Sequence, residues 1–184
     1  MLKKETRVFD IYRYLFVLCV LCLSFSNGYS QISEYQIKAA YLEKFTRFIE
    51  WQDTVGINDA TKPFRITVLG KNPFGQILEN LYAHNTIRGK KVEIDYIKNI
   101  NELKPSWILF ISSSEKNRLE SILKKTQNMD ILTVSDTEGF GKAGVLINFY
   151  IEKNKVLFEI NYDSVHKSSI RISYLLLQLA KIIG

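Results

Sequence analysis

The sequence predicts an α/β fold in which a mostly parallel sheet carries helices on both faces, extended by a C-terminal antiparallel hairpin and a long closing helix. Three observations predict it. From Phe64 to Val134 short β-branched runs alternate with helical stretches, the pattern of parallel strands joined by right-handed crossovers. Two strand-like runs, 145–150 and 155–160, then follow one another with Ile151, Glu152, Lys153 and Asn154 between them, which reads as a hairpin. Last, Val165, Ile172, Leu175, Leu176, Leu179, Ile182 and Ile183 make a wide apolar stripe on a helix expected from about Asp163.

Taken in order, the first element is a helix. Ser33-Glu34-Tyr35-Gln36 has the capping-box pattern, in which the side chain at the fourth position reaches back to the Ser33 amide. Ile37, Tyr41, Phe45, Phe48 and Trp51 recur every three or four residues and form its apolar face, with Lys38, Glu43, Lys44, Arg47 and Glu50 falling largely elsewhere. Residues 52–62 are polar and read as a loop. Phe64 to Leu69 is a strand. Asn72-Pro73 then supplies an N-cap and a first-turn proline for a helix bearing Phe74, Ile77, Leu78 and Leu81. Further strands are expected at 91–96, 107–111 and 131–134, with a short helix near 101–103 and a longer one over 114–125. Ser112-Ser113-Ser114 reads as a loop ending in the N-cap of that longer helix. Gly139 to Gly144 is expected to be a glycine-rich turn into the hairpin.

Composition fits one ordinary domain. Of 184 residues 46% are hydrophobic, 12% aromatic and 24% charged, with 3 Pro and 9 Gly, so the chain is neither disordered nor fibrous. The first thirty residues account for part of the net charge of +6. Lys3, Lys4, Arg7 and Arg13 precede an apolar run from Tyr14 to Leu23, and Gly28 and Ser30 offer small residues at a cleavage site. Residues 1–30 thus read as a signal peptide and 31–184 as a single exported domain. Even extended to Phe25 the apolar run covers about 12 residues, short of the ~20 a spanning helix needs. Beyond residue 30, 21 basic and 17 acidic residues remain, with no Lys/Arg run longer than two, which gives no footing for nucleic acid. Cys19 and Cys22 are the two cysteines, and both lie in the signal segment. The exported chain therefore has no thiol nucleophile, disulfide or Cys-bound zinc.

Motif by motif, enzymatic chemistry finds little support. Gly139-Phe140-Gly141-Lys142-Ala143-Gly144 spells the dinucleotide fingerprint, but the strand-like Val145-Leu146-Ile147 follows where a helix should receive the pyrophosphate. Gly70 and Gly75 stand in a strand-to-helix setting like that of a phosphate-binding loop, without its Lys or Ser/Thr. His84 and His166 each lack a second His nearby and read as solvated surface residues. Asp136 and Glu138, at the carboxyl end of an expected strand, are the best-placed carboxylates, because ligands of such sheets gather at that end. No catalytic residue, metal site or cofactor is expected. Trp51, Phe140, Tyr150 and Tyr162 are aromatic residues that, if left outside the core, would form an interaction patch.

Two segments look familiar. Ile37-Lys38-Ala39-Ala40-Tyr41 through Phe45, Phe48 and Glu50-Trp51 resembles the opening helix of the YfiR family of secreted regulators. Residues 131–136, Gly139-Phe140, Gly144, Ile147-Asn148-Phe149, Phe158 to Asn161 and Leu175 to Ala180 resemble that family's closing pattern. The resemblance implies a non-enzymatic periplasmic protein that binds the periplasmic part of an inner-membrane diguanylate cyclase and holds it inactive. Cyclic-di-GMP and biofilm output would then stay low until an envelope signal releases them. It implies contact residues in place of catalytic ones: Arg47, Trp51, Asp136, Phe140, Asn148 and Asn161. Asn148 and Asn161 are equally readable as capping or strand-end hydrogen-bonding groups. The alternative is a periplasmic small-ligand sensory module acting with a sensor kinase or similar receptor, its ligand in the crevice at the carboxyl ends of the strands. An exported hydrolase using His84 or His166 is a third reading. The chain departs from better-studied relatives in lacking their cysteine pairs and in carrying Val145 where they usually show a second glycine. The hairpin edge offers a surface for a homodimer.

Overall fold

The computed structural model describes residues 33–52, 59 and 61–184. The expected signal peptide, and most of the expected 52–62 loop, lie outside the described residues.

Helix α1 spans Glu34–Thr46. Ala39, Leu42 and Phe45 on it are fully buried, while Ile37, Tyr41 and Phe48 only flank the core. The buried stripe is therefore rotated from the expected one and includes Lys38, which was expected on the polar side. The helix also ends earlier than expected. Arg47 and Phe48 donate to the carbonyls three residues back, at 3.2 and 3.0 Å, a tightening typical of a last turn. The chain then enters strand β1, Ile49–Glu50, which pairs antiparallel with β9, Arg171–Ile172. Trp51 thus reaches the core from beyond a strand and not from the helix.

The remaining strands are β2 (Phe64–Leu69), β3 (Thr86–Ile87), β4 (Lys90–Ile97), β5 (Ile108–Ile111), β6 (Leu132–Ser135), β7 (Ile147–Glu152), β8 (Lys155–Asn161) and β10 (Lys181–Ile183). They form one eight-stranded sheet in the order β10-β8-β7-β6-β5-β2-β4-β3. Pairing is parallel from β4 through β2, β5 and β6 to β7, antiparallel for β7–β8 and β3–β4, and parallel for β8–β10. The mostly parallel sheet and the hairpin are those expected. The hairpin turn is tighter than expected: Lys153 and Asn154, with φ of 49° and 60°, make a two-residue connection of the kind that matches strand twist.

Helix α1 and α2 (Ile77–Tyr82) cover one face, burying Ile66, Val68, Ile108, Phe110, Leu132 and Val134. Helix α3 (Leu119–Thr126) and α4 (Phe140–Ala143) cover the other, over Leu69, Leu109 and Ile111. Alternate residues of the same strands face opposite layers, as the pleat requires. Two local expectations change. Asn72 caps a turn around Pro73, accepting from the Phe74 N–H at 2.8 Å and donating to the Gly75 carbonyl at 2.9 Å, so α2 starts later. Residues 113–118 are 3-10 before α3 begins, and Ser114 Oγ accepts from the Lys71 N–H at 2.9 Å, tying two loops together.

The long closing helix is absent. In its place stand α5 (Tyr162–Lys167), β9, α6 (Tyr174–Leu177) and β10. Ser168 N–H donates to the Val165 carbonyl and closes α5, Ser173 Oγ caps α6 through the Leu175 N–H, and β-branched Ile172, Ile182 and Ile183 enter strand pairs. The apolar periodicity was real, but the serines divide it and pairing with β1 and β8 outweighs helix propensity. One result is a set of large apolar side chains left outside: Tyr174, Leu175, Leu179 and Ile182 are 70, 60, 70 and 46% exposed.

Candidate functional site

The carboxyl edge of the sheet is organised around Asp136, the residue after β6. Lys38 Nζ donates to its Oδ2 at 2.6 Å and the Tyr35 hydroxyl at 2.8 Å. Lys38 is 3% exposed, also pairs with Glu34, and lies 4.4 Å from the Tyr35 ring centroid. Burial, and then the bond to Asp136, holds the Tyr35 phenol above its ordinary range. The first turns of α1 are thereby fastened to the end of a central strand by a buried charge pair. Sequence reasoning missed Lys38. The signal was present, since 38, 42, 45 and 49 are spaced by four, three and four and three of them are apolar.

Beside Asp136 the hairpin runs past the end of β6, leaving a cleft of about 500 Å³ between it and α4. Glu138 and Lys142 stand on the α4 side; Asn148, Glu159 and Lys181 come from three neighbouring strands in register. Asn148 Nδ2 donates to Glu159 Oε1 at 3.2 Å, while Asn148 Oδ1 is buried and accepts nothing. Helix α4 lies close over this row. Gly139 and Gly144 bracket it with φ of 84° and 121°, and a Cβ on Gly141 would fall 2.5 Å from Glu159 Oε1. The glycine-rich turn is thus one turn of helix whose glycines serve left-handed ends and close approach.

The six residues named from the sequence are placed as follows. Asp136 and Asn148 line the cleft. Phe140 is buried on α4 in the second core with Leu119 and Ile122. Asn161 donates to the Gly141 carbonyl at 2.8 Å and accepts from the Ser164 N–H at 2.8 Å, so it caps α5 and steadies α4. Trp51 is buried against Phe64 and Trp107, at 6.2 and 6.0 Å between centroids. Arg47 is exposed and donates to Glu43 Oε1 at 2.8 Å. Arg47 and Trp51 do not line the cleft. His84 and His166 are exposed, the latter edge-on to Tyr162 at 4.3 Å. Among the described residues no group of three or more His, Cys, Asp or Glu is arranged to hold a metal, and no helix is long and apolar enough to cross a membrane.

The model of the YfiR/HmsC-like family matches residues 35–181, from the first turn of α1 to the start of β10. No curated protein matches the chain.

Proposed function

We infer the function from one premise: this chain belongs to the YfiR/HmsC-like family. It is an exported, non-enzymatic regulator that binds the periplasmic domain of an inner-membrane signalling protein of diguanylate cyclase type and holds it inactive, keeping cyclic-di-GMP and biofilm output low. The observation that carries this reading is the apolar edge. Tyr174, Leu175, Leu179 and Ile182 stand exposed around β10, the terminal strand of the sheet. Four large apolar side chains left exposed within nine residues of chain favour an interaction face, and an edge strand adds unpaired backbone donors and acceptors. Of the contacts named from the sequence, Arg47 alone is exposed, Asp136 is half-buried, and Trp51, Phe140, Asn148 and Asn161 are buried.

Restraint then works by population shift. A protein that binds only the inactive conformation of its partner lowers the active fraction by its difference in affinity for the two states, about 10⁴-fold to move it from 99:1 to 1:99. Deleting the gene is expected to raise cyclic-di-GMP, and cross-linking in the envelope to join this chain to a membrane protein carrying a diguanylate cyclase domain. Unchanged cyclic-di-GMP on deletion, with no such adduct, would count against the reading.

A further inference from the structure

In the carboxyl-edge cleft a buried acceptor without a donor lies beside a carboxylate that has few. Asn148 is 2% exposed, lines the cleft, and its Oδ1 accepts no hydrogen bond. The amide cannot be turned over to cure this, because Oδ1 would then face the Glu159 carboxylate that Nδ2 now serves. Glu159, with its side chain 12% exposed, receives one long bond at Oε1, and Lys181 Nζ stands 3.8 Å from Oε2, beyond hydrogen-bond reach. An ionised carboxylate has room for about four donors. Buried acceptors left empty are costly and rare in native proteins, and each calls for an explanation.

The surroundings decide the sign of what would fill them. The carboxylate of Asp136 is already paired with Lys38, but Glu138 adds another to the lining, and Tyr150 offers a ring face, over which Lys181 Nζ already lies 5.5 Å from the centroid. Lys181 therefore marks a place where a cation is favoured, yet its side chain is 59% exposed and free to swing out. Lys142 is the other cation on the wall. A hard metal ion asks for several oxygen ligands at once, and no group of three or more acidic or His side chains converges among the described residues. An N–H-rich organic cation asks for what is there: two acceptors and an aromatic face.

The geometry points to a binding site for a small organic cation bearing a primary ammonium or guanidinium, donating to Asn148 Oδ1 and Glu159 Oε2 and lying over Tyr150 in place of Lys181. A cleft of about 500 Å³ suits a molecule of diamine or amino-acid size. The site stands apart from the docking reading above, since its occupancy is measured with no membrane protein present.

Calorimetric titration of the purified full chain tests it, using agmatine and putrescine as probes and 1,4-butanediol as the uncharged control. Saturable one-site binding of at least one cation and none of the diol is expected. Glu159→Gln, which keeps the shape and removes the charge, should weaken binding about tenfold or more. Lys181→Ala, at an exposed position, should tighten it several-fold by removing the competing ammonium; this variant decides the matter if Glu159→Gln fails to fold. Absence of saturable cation binding in both the unsubstituted chain and Lys181→Ala overturns the proposal, as does equal binding of the diol. Binding of a capped arginine-containing tetrapeptide where neither free cation binds also overturns it, because the site would then serve a basic side chain of a partner.

Discussion

On the α1 side of the sheet, Phe45 stacks on Phe149 at 5.6 Å and meets Phe158 edge-on at 5.0 Å, while Phe64 and Trp107 lie 4.7 Å apart. On the α3 side the same strands present small polar groups. Thr67 and Ser106 share a hydrogen bond at 2.7 Å, Thr133 Oγ1 accepts from the Leu146 N–H at 3.0 Å, and Ser135 donates to the Ile111 carbonyl at 2.7 Å. Asn148 and Glu159 continue that polar row. One set of strands thus builds a dry aromatic layer on one side and a hydrogen-bonded layer with clefts on the other. Aromatic area stabilises through burial and tolerates no voids; polar networks are worth little net but are specific and leave open acceptors. The larger apolar core lies on the first side, and the second combines a smaller apolar cluster with this polar row and its cleft.

The contrast can be broken most sharply in the aromatic layer. Phe45→Ala should cost about 4 kcal/mol in urea unfolding, because a fully buried ring leaves a cavity among other rings. Phe140→Ala, under the four-residue α4 beside a cleft, should cost less, about 3 kcal/mol. Next in size is the charge pair that pins α1 to β6. Asp136→Ala leaves the buried Lys38 ammonium with Glu34 as its ion-pair partner and should cost about 2 kcal/mol, whereas Lys38→Met with Asp136→Leu should recover most of it, since an apolar pair of similar volume escapes the desolvation penalty. In the polar layer, Thr133→Val keeps volume but leaves the Leu146 N–H without its acceptor. About 1.5 kcal/mol is expected, visible as a lower urea midpoint at unchanged slope.

The smallest effect separates the layers by pH. Burial is the first cause holding the phenols of Tyr35, Tyr82 and Tyr96 above their ordinary range, with Asp136 adding to it at Tyr35 and Glu79 at Tyr96. A phenol that keeps its proton longer folded than unfolded lends stability that is whole below about pH 10 and is lost as pH climbs toward its folded value. Melting temperature should therefore fall above about pH 10, and Tyr82→Phe, which removes the phenol against the Ala39 carbonyl in the aromatic layer, should flatten that fall. An equally steep fall in the variant would show that Tyr82 contributes nothing to it.

The central strands and the hairpin were legible because β-branched runs and turn residues are local signals that pairing then reinforces. Lys38 shows where legibility stopped. Its place in the apolar spacing was visible, but its reason, a carboxylate 98 positions away, is tertiary. The C-terminal segment shows the same limit from the other side. Leu and Ile at helical spacing gave a helix, whereas partners at Ile49 and Glu159 drew Ile172 and Lys181 into strands. Asn161 and Phe140 were named from the sequence as contact residues, and the structure places both inside: Asn161 caps α5 and bonds α4, and Phe140 packs in the second core. Nothing local in the sequence says which face of a strand an Asn will serve.

The claim that this chain acts by occupying a partner's surface is tested most directly by disabling the exposed edge without touching the core. In a strain lacking the gene, cyclic-di-GMP is measured after restoring either the unsubstituted chain or the Leu175→Asp, Leu179→Asp form, with both confirmed as exported and equally stable. Residues 60 and 70% exposed should tolerate the change. The unsubstituted chain should lower cyclic-di-GMP and the double variant should leave it high; a double variant that lowers it equally well would contradict the account.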